Sequence, residues 1–469
     1  MKKIQIALIG FLPLLLFACN SFTNKGGTEQ NTKQNAGEKS PKVQKSAPLA
    51  WTENANIYEV NIRQYTQDGT LNAFAKQLPR LKEMGVDILW LMPIYPIGEK
   101  NRKGSLGSYY SVQDYTAVGK EYGSLDDLKN LVHQAHQLHM HVILDWVANH
   151  TSWDHAWLTE HPDFYEKDDQ GQYISPFDWT DVVSLDYNNQ KMREAMRDAM
   201  VFWLKEADVD GFRCDVAGEV PTDFWNWLRP QLDEIKPVFM LAEAEKPELL
   251  EKAFDMDYGW DFHHLMNQIA KGEKNAKDVW TYLAKEKESI PDHAYRMYFT
   301  TNHDENSWNG TTKERLGAAT DAMALLTFTL ADMPLIYSGQ EAANAKRLAF
   351  FEKDPIEWKD YPKQGFYKKL TAFKHENAAF WNGLNGGEMI MLPTNQDDKV
   401  MAFKRIKADN DMMVLINLSD QTYEAKFTKD NLLNYKPLLM HDFAPTMEIN
   451  SFTMRPWGYI VLRKVMPKR

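Results

Sequence analysis

Several short apolar runs in this sequence end in side chains that can carry charge or move protons. In chain order these side chains are Asp145 and His150, Arg213 and Asp215, Glu243, and then Asn302, His303 and Asp304. Carboxylates that lie close together raise one another's pKa, so clustering them with one arginine and two histidines would cost free energy unless function required it. The sequence therefore predicts a reactive polar site if the fold brings the ends of these runs together.

The apolar runs alternate with helical stretches, which is the pattern of a parallel sheet with crossover helices. Residues Leu125–Leu138 and Met192–Glu206 have apolar side chains at the three- and four-residue spacing of a helix. The predicted strands are Ile57–Ile62, Asp87–Met92, His141–Trp146, Asp210–Asp215, Val238–Ala242, Phe254–Met256, Met297–Thr301 and Leu335–Ser338. Eight strands with helices between them indicate an α/β protein with a (β/α)8 TIM barrel, whose active site lies at the carboxyl ends of the strands.

Two further segments do not follow the alternating pattern. Residues from about 150 to 190 lack helical periodicity and are too many for an ordinary βα loop, so we expect a small inserted subdomain after the third strand. The barrel is expected to cover residues 51–384, and a C-terminal antiparallel β-sandwich domain residues 385–469. The strand-like runs of that second domain are Met389–Leu392, Val400–Arg405, Met412–Asn417, Tyr423–Phe427 and Tyr459–Leu462.

The amino terminus has the composition of an export signal. Lys2 and Lys3 precede an apolar run that is too short to span a bilayer comfortably. The run ends in Leu-Phe-Ala-Cys19, which resembles a bacterial lipobox and predicts removal of residues 1–18 and lipidation of Cys19. A simple cleaved signal followed by a chance cysteine is the alternative. Residues 19–50 are polar and are interpreted as a flexible tether.

These features predict an exported bacterial lipoprotein, periplasmic or at the cell surface, whose only contact with the membrane is the lipid on Cys19. The net charge of −11 argues against a nucleic-acid partner, because such a partner requires neutralised phosphates. Only Cys19 and Cys214 are present, so no disulfide framework is expected. Strand alternation points Cys214 away from the barrel mouth, as a buried inert thiol. Nothing in the sequence indicates an oligomeric state.

Four of the polar motifs together resemble glycoside hydrolase family 13, the α-amylase family. They are Asp145–His150, Gly211–Asp215, Glu243 within Leu-Ala-Glu-Ala, and Asn302–Asp304. The motifs occur in the order and at the spacing of the family, and the resemblance covers roughly residues 51–469. It implies an α-glucan substrate and retaining hydrolysis of α-1,4-glucosidic bonds in starch or maltodextrins, without a cofactor for the chemistry.

The resemblance also implies roles for the acidic residues. Asp215 matches the nucleophile, Glu243 the acid/base, and Asp304 the third carboxylate, which holds sugar hydroxyls. A retaining glycosidase places its two reacting carboxyl groups about 5–5.5 Å apart. We expect Arg213 to keep Asp215 ionised, and we expect a raised pKa at Glu243 so that it carries a proton near neutrality.

Further residues match substrate-binding and supporting positions of the family. His150 and His303 match residues that hydrogen-bond the sugar in the cleaved subsite, and Tyr110 matches the tyrosine that stacks on it, with Tyr109 as the competing choice. Arg213 is grouped with these substrate binders, and Asp145, Asn302 and Glu219 with supporting residues. Three tryptophans could line sugar subsites but are better interpreted as core, namely Trp90, Trp146 and Trp260.

The sequence departs from the family pattern at two places. Asn149 matches a calcium ligand of many members, but the partner motif here reads Val-Ser184-Leu-Asp186, with Ser184 in place of an aspartate. Structural calcium is therefore possible, with Asn149 as its candidate ligand. Glu219 resembles the residue of neopullulanases and cyclomaltodextrinases, so those activities, or a 4-α-glucanotransferase, are the alternative. A non-catalytic starch-binding lipoprotein is a more distant one.

Overall fold

The computed structural model describes residues 49–465. The predicted signal sequence, the lipidation site at Cys19 and the tether up to residue 48 lie outside the described residues, so they stay predictions. Within the described range no helix combines the length and the apolar character needed to cross a membrane. All described residues belong to one compact unit.

The strands of the described chain are numbered here in chain order. They are β1 Ile57–Val60, β2 Ile88–Leu91, β3 His141–Trp146, β4 His150–Ser152, β5 Val182–Ser184, β6 Gly211–Cys214, β7 Phe239–Ala242, β8 Met256–Tyr258, β9 Tyr295–Tyr298, β10 Met333–Tyr337, β11 Glu388–Met391, β12 Val400–Lys407, β13 Asn410–Asn417, β14 Tyr423–Lys426, β15 Tyr435–Pro445 and β16 Ser451–Lys464. Eight parallel strands close into a barrel in the order β1, β2, β3, β6, β7, β8, β9 and β10, and β10 pairs with β1.

The helices of the described residues pack on the outside of this barrel, except α5, which lies in the insertion described below. They are α1 Ile62–Tyr65, α2 Leu71–Ala75, α3 Leu78–Met84, α4 Leu125–Gln137, α5 Ala156–Glu160, α6 Gln190–Glu206, α7 Thr222–Asp233, α8 Pro247–Leu250, α9 Trp260–Ala270, α10 Ala276–Ser289, α11 Thr312–Leu316, α12 Thr320–Thr329 and α13 Gln364–Glu376. Local sequence signals set several of their starts. Helix α4, for example, begins at a capping box in which the Ser124 hydroxyl and the Asp127 carboxylate each bond the other's backbone N–H.

The barrel strands are apolar on both faces because each face meets a different core. Trp90, Phe239 and Met256 are among the side chains that fill the barrel interior, while the opposite faces pack against the helices. Gly211 is required where β6 runs against β7, because a Cβ there would overlap the carbonyl oxygen of Phe239. The TIM barrel predicted from the sequence is therefore confirmed.

Two of the predicted strands lie in the right part of the chain but at the wrong residues. The prediction Phe254–Met256 becomes β8, Met256–Tyr258, and Met297–Thr301 becomes β9, Tyr295–Tyr298. Both strands are buried on both faces and show no alternation that could mark their ends. Pairing with the neighbouring strands decides where they begin and stop.

The segment between β3 and α6 forms the predicted insertion. Strands β4 and β5 pair antiparallel as a separate two-stranded sheet, with His150 opposite Ser184. The short helix α5 lies between these strands in the chain. Since β4 begins four residues after β3 ends, the insertion rises directly from the carboxyl edge of the barrel.

Strands β11 to β16 form the C-terminal antiparallel domain. The long β16 pairs with β14 through its first residues and with β13 through its last ones, so the sheet folds around one core as a sandwich. The sequence did not predict β15, Tyr435–Pro445. This edge strand has mostly partly or fully exposed side chains and contains two prolines, so it lacks the apolar alternation that marks a strand.

One buried arginine ties this domain to the barrel. Arg405 on β12 is fully buried and donates hydrogen bonds to the carbonyl oxygens of Gly387, Thr329 and Trp381. Thr329 is the last residue of the barrel helix α12. A guanidinium with five donors satisfies several carbonyls at once, which fixes the C-terminal sheet against that helix end.

Candidate active site

The carboxyl ends of four barrel strands bring the predicted polar residues to one rim. Asp145 lies in β3 and pairs in register with Arg213 of β6. Asp215 follows β6 directly, and Glu243 follows β7 with its N–H bonded to the Cys214 carbonyl oxygen. The His303–Asp304 pair follows β9. Strand pairing thus converts residues far apart in the sequence into neighbours, as the barrel geometry requires.

Arg213 is the centre of this cluster. Its Nη1 lies 2.8 Å from Asp145 Oδ1 and 3.2 Å from Asp215 Oδ1, and its Nη2 lies 2.9 Å from Glu243 Oε2. Its Nε donates to the Tyr258 hydroxyl at 3.1 Å. Because Asp215 and Glu243 contact the same guanidinium, they are held well within a nanometre of each other. Arg213 is fully buried, so it organises carboxylates rather than facing the cleft.

Asp145 is buried and fully engaged by its neighbours. Its Oδ2 accepts hydrogen bonds from the indole N–H of Trp90 and the hydroxyl of Tyr110, both at 3.1 Å. Trp90 also packs against the guanidinium of Arg213, which lies 4.9 Å from its ring centre. Asp145 and Trp90 therefore both contact Arg213 from below the cleft and hold it in position. Trp90 and Trp146 are fully buried and belong to the core, as expected.

The backbone after Asp215 has an unusual conformation. Val216 has φ of 36°, in the left-handed region that a β-branched residue rarely adopts. In this conformation its N–H donates to Glu243 Oε2 at 2.8 Å. Strain of this kind persists only where the surroundings impose it and is concentrated at functional sites. The backbone of the Asp215 loop thus helps to position the Glu243 carboxylate.

The protonation of Asp215 and Glu243 differs from the sequence expectation. Burial, followed by the charge of Glu243, raises the pKa of Asp215 well above its ordinary value. Burial also favours the neutral form of Glu243, but Arg213 and the Val216 N–H outweigh it and lower the pKa of Glu243. Both directions are opposite to those expected from the sequence. The causes are burial at Asp215, and the contacts of Arg213 and the Val216 N–H at Glu243.

Glu59, a buried glutamate that was not among the predicted site residues, contacts His303. Glu59 lies in β1, and its Oε1 is 2.6 Å from His303 Nδ1. Burial lowers the pKa of His303, but Asp304 and Glu59 outweigh it and raise that pKa to about 9. His303 Nε2 lies 2.7 Å from the Tyr110 hydroxyl. The signal that could have identified Glu59 is its position as a lone charged residue in an apolar strand, Ile-Tyr-Glu-Val.

These groups open into a cleft of about 610 Å³ at the barrel rim. Its walls include Asp215, Glu243 and Asp304 together with Tyr110, His150 and His303. The volume is in the range of sites for small organic ligands. All three predicted carboxylates and three of the four predicted substrate binders therefore face one cavity.

His150 and Tyr110 both line this cleft. Burial lowers the pKa of His150 to about 4, so its ring is neutral near pH 7. Tyr110 lines the cleft, whereas the hydroxyl of Tyr109 points to Asn61 and Gln64. This geometry favours Tyr110 over Tyr109 as the sugar-stacking residue.

Two predicted supporting residues lie outside the cleft. Asn302 is buried, and its Oδ1 accepts from the N–H of Glu305, so it holds the turn after β9. Glu219 is exposed and lines a smaller cavity of about 270 Å³ that also borders Glu243 and Trp179. Cys214 is buried, as expected, and burial raises the pKa of its thiol.

The residues named for calcium do not form a cage for the ion. The Asn149 amide nitrogen lies 3.3 Å from His150 Nδ1, and the Asp186 carboxylate accepts from the backbone and side chain of Asn188. Across residues 49–465, no group of three or more His, Cys, Asp or Glu side chains is arranged to hold a metal ion. No step of the chemistry below is assigned to calcium, which stays a prediction.

A closed eight-stranded parallel barrel with clustered carboxylates at its carboxyl rim and a C-terminal antiparallel domain defines a glycoside hydrolase of the (β/α)8 type. The chain belongs to the alpha-amylase family, since the family model described as "Alpha amylase, catalytic domain" matches residues 20–179 and 165–382.

Similar proteins agree with this assignment. The chain is 26% identical to "Alpha-amylase 3" of Dictyoglomus thermophilum, over 88% of this chain and 94% of that protein. It is 25% identical to "Alpha-amylase MalA" of Haloarcula japonica over 79% of this chain, and the match spans only 56% of that protein. The crystal structure of an alpha-amylase from Lactobacillus plantarum superposes with a TM-score of 0.78 at 27% identity, covering 89% of this chain and all of that one.

Proposed function

We propose that this protein hydrolyses α-1,4-glucosidic bonds of starch-derived glucans with retention of anomeric configuration. The observation that carries the proposal is the attachment of Asp215 and Glu243 to one guanidinium at the floor of the cleft. Retaining glycosidases need two carboxyl groups close enough to act on opposite sides of one glycosidic bond. The three similar proteins named above are alpha-amylases, which supports the choice of substrate.

The reaction assigns one task to each carboxyl group. Asp215 attacks the anomeric carbon and forms a glycosyl ester, while Glu243 gives its proton to the departing oxygen. Glu243 then takes a proton from water, whose oxygen attacks the same carbon and releases Asp215 as a carboxylate. Asp304 is placed to hold hydroxyls of the reacting sugar, with His303 3.3 Å from its carboxylate.

The reaction requires one proton on this pair of carboxyl groups. The pKa of Asp215 is raised and that of Glu243 is lowered, so a single proton favours Asp215 in the free site. Both groups contact Arg213, and the charge of Glu243 affects Asp215, so the pair titrates as a unit. Transfer of that proton to Glu243 would ionise the nucleophile and protonate the acid without an external donor. We propose that substrate binding, which displaces water from the cleft, drives this transfer.

Glu219 favours a second candidate function. It lines the cavity next to Glu243, on the side where the leaving group departs. Its resemblance to neopullulanases and cyclomaltodextrinases makes α-1,6 links and cyclic dextrins alternative substrates, and a bound acceptor sugar there would give glucanotransferase activity.

Product analysis on amylose, pullulan and a cyclic dextrin tests the proposal and separates the two candidates. We expect linear malto-oligosaccharides from amylose, released initially as the α-anomer. Reaction with pullulan and with the cyclic dextrin should be slower. Products mainly from pullulan or cyclodextrin would favour the second candidate. Absence of cleavage with all three would reject both.

The substitution Glu243→Gln tests the acid/base assignment. Loss of the proton donor should lower kcat by about three orders of magnitude or more and leave binding of long glucans largely intact. The control is Glu248→Gln, which makes the same chemical change at a nearby exposed residue. Turnover near that of the unmodified enzyme in Glu243→Gln would contradict the assignment.

A further inference from the structure

A second cavity of about 340 Å³ lies outside the reactive cleft and is called here the outer cavity. It shares no lining residue with the cleft. The single turn of π-helix Glu305–Asn309 borders both, since Trp308 lines the cleft and Asn306 lines the outer cavity. The volume is sufficient for a small organic ligand, and no step of the reaction assigned above uses this space.

The outer cavity is formed by loops that follow two neighbouring barrel strands. Thr301 follows β9, the seventh strand of the barrel, and Ser338 directly follows β10, the eighth. Helix α12 has ten residues and begins at the cavity with Thr320 and Asp321. The amino terminus of a helix carries partial positive charge, and TIM barrels frequently bind phosphate between the loops after their seventh and eighth strands and a helix amino terminus. This position in the fold therefore favours an anion.

Two lysines add positive charge to the outer cavity. Within residues 49–465, the side chain of Lys313 in α11 has no ion-pair or hydrogen-bond partner. Lys363, directly before α13, pairs with Asp321 at 2.5 Å, which balances one of the two cations. The lining thus retains one unbalanced positive charge, although the protein as a whole carries −11. A cavity with such a lining attracts an anionic group.

Ser338 places an unsatisfied hydroxyl at the wall of the outer cavity. The residue is 1% exposed, and its hydroxyl has no hydrogen-bond partner among the described residues. Side chains alternate along β10, so Leu335 fills the barrel interior and Ile336 packs on the helix side. The same alternation turns Ser338 toward the helices and the outer cavity. A buried hydroxyl without a partner costs free energy, and a ligand oxygen in the cavity would supply that partner.

We propose that the outer cavity binds a phosphate group, carried by a small sugar or present as inorganic phosphate. Lys313 would pair with the dianion near the start of α12, and Ser338 would donate a hydrogen bond to a phosphate oxygen. Because the cavity is larger than phosphate alone, we expect a sugar phosphate to bind more tightly than the free anion. The hydroxyl and amide groups available to the sugar belong to Thr312, Thr320, Gln340 and Asn344.

Isothermal titration calorimetry of the whole protein with glucose 6-phosphate, inorganic phosphate and glucose tests this proposal. We expect glucose 6-phosphate to bind most tightly, and its affinity to fall as salt is added. The substitution Lys313→Gln should weaken that binding about tenfold or more, since it removes a charge-assisted hydrogen bond. The matched control is Lys277→Gln, which makes the same change at the exposed second residue of α10 and should leave the affinity unchanged.

The substitution Ser338→Ala gives a second readout that does not depend on loss of folding. Because the hydroxyl has no partner in the free protein, its removal should leave the melting temperature unchanged or higher, and it should weaken glucose 6-phosphate binding about fivefold. A lowered melting temperature with unchanged affinity would overturn the role of Ser338.

The titrations also separate the two sources of the phosphate group. Tighter binding of inorganic phosphate than of glucose 6-phosphate would support the phosphate site and identify the free anion as its ligand. Binding of neither phosphate compound, equal affinities in Lys313→Gln and Lys277→Gln, or binding of glucose as tight as that of glucose 6-phosphate would overturn the proposal. None of these measurements requires glucan cleavage, so their outcome is independent of the proposed function.

Discussion

At the scale of single residues, charge balance decides the chemistry of this cleft. Arg213 supplies one positive charge to the buried carboxyl groups of Asp145, Asp215 and Glu243, and a second positive charge enters through His303. A group removed from water keeps its charge only beside an opposite charge or hydrogen-bond donors. Among these groups the pKa of Asp215 is raised well above its ordinary value and that of Glu243 is lowered, so Asp215 takes up a proton more readily than Glu243.

The substitution Glu59→Gln tests how His303 keeps its charge. Removing the carboxylate at 2.6 Å from Nδ1 removes a charge that favours imidazolium, so the pKa of His303 falls from about 9. The alkaline limb of kcat/KM, which reports the free enzyme, should move to lower pH by about 1–2 units.

The control for this prediction is Glu341→Gln. Glu341 is also a buried glutamate near the barrel, but its carboxylate pairs with Arg80 rather than with a cleft residue. Its loss should reduce stability and leave the alkaline limb in place. An alkaline limb that does not move in Glu59→Gln would exclude His303 as the titrating group.

At the scale of elements, ion pairs join neighbouring segments on the side of the barrel away from the cleft. Asp210, directly before β6, contacts His136 of α4 at 2.8 Å and Lys236, which follows α7, at 3.3 Å. It also accepts the N–H of Val142 in β3. One carboxylate thus connects a strand with two segments that pack around it. His136 and His141, which could suggest a metal site, contact the Asp210 carboxylate instead.

The substitution Asp210→Asn should lower the free energy of unfolding by about 1–3 kcal/mol near pH 5–6, because partly buried partners lose their counter-charge. Burial raises the pKa of Asp210, but His136 and His141 outweigh it and lower that pKa, so this stabilisation is lost as pH falls below about 4. The hydrogen bond that His136 donates to Asp210 raises the pKa of His136, so the stabilisation that comes from charged His136 is lost as pH rises above about 6.5.

Urea unfolding at several pH values measures both effects. Asp208→Asn is the control, since Asp208 pairs with the same Lys236 but has a mostly exposed side chain. Asp208→Asn should lower the free energy of unfolding by less than about 1 kcal/mol. Equal costs for the two variants, or a cost for Asp210→Asn that does not vary with pH, would show that charge pairing at Asp210 is not what stabilises this contact.

At the scale of the whole molecule, the C-terminal sandwich is attached to the barrel by specific polar contacts. Arg405 is buried without a carboxylate hydrogen-bonded to it and instead satisfies three backbone carbonyl oxygens. Burial lowers the pKa of Arg405 to about 10, so its side chain still carries its charge at neutral pH. Such a contact stabilises the attached arrangement mainly because its loss leaves buried carbonyls unpaired.

The substitution Arg405→Ala should lower the free energy of unfolding by about 2–4 kcal/mol, since it leaves buried carbonyls without donors and opens a cavity. Arg455→Ala is the matched control, because Arg455 in the same domain has a side chain that is 72% exposed. It should change stability by less than about 0.5 kcal/mol. Thermal unfolding monitored by circular dichroism distinguishes the two, and similar melting temperatures for both variants would contradict the role given to Arg405.

The sequence by itself determined the order of the barrel strands and the candidates for the reacting residues. Periodicity and residue type are local properties, so the eight barrel strands and the motifs around Asp215 and Glu243 were readable without coordinates. Local pattern did not predict the ends of β8 and β9 or the edge strand β15. Pairing with neighbouring strands defines these features.

Only the tertiary structure decided how protons are distributed and which further side chains reach the cleft. The pKa of Asp215 is raised by burial and by the charge of Glu243, and no spacing in the sequence encodes either. Glu59 meets His303 only because β10 closes the barrel between β9 and β1. Trp308 reaches the cleft through a π-turn bonded to a distant loop. Each depends on distances between segments remote in the chain, and closure of the barrel sets those distances.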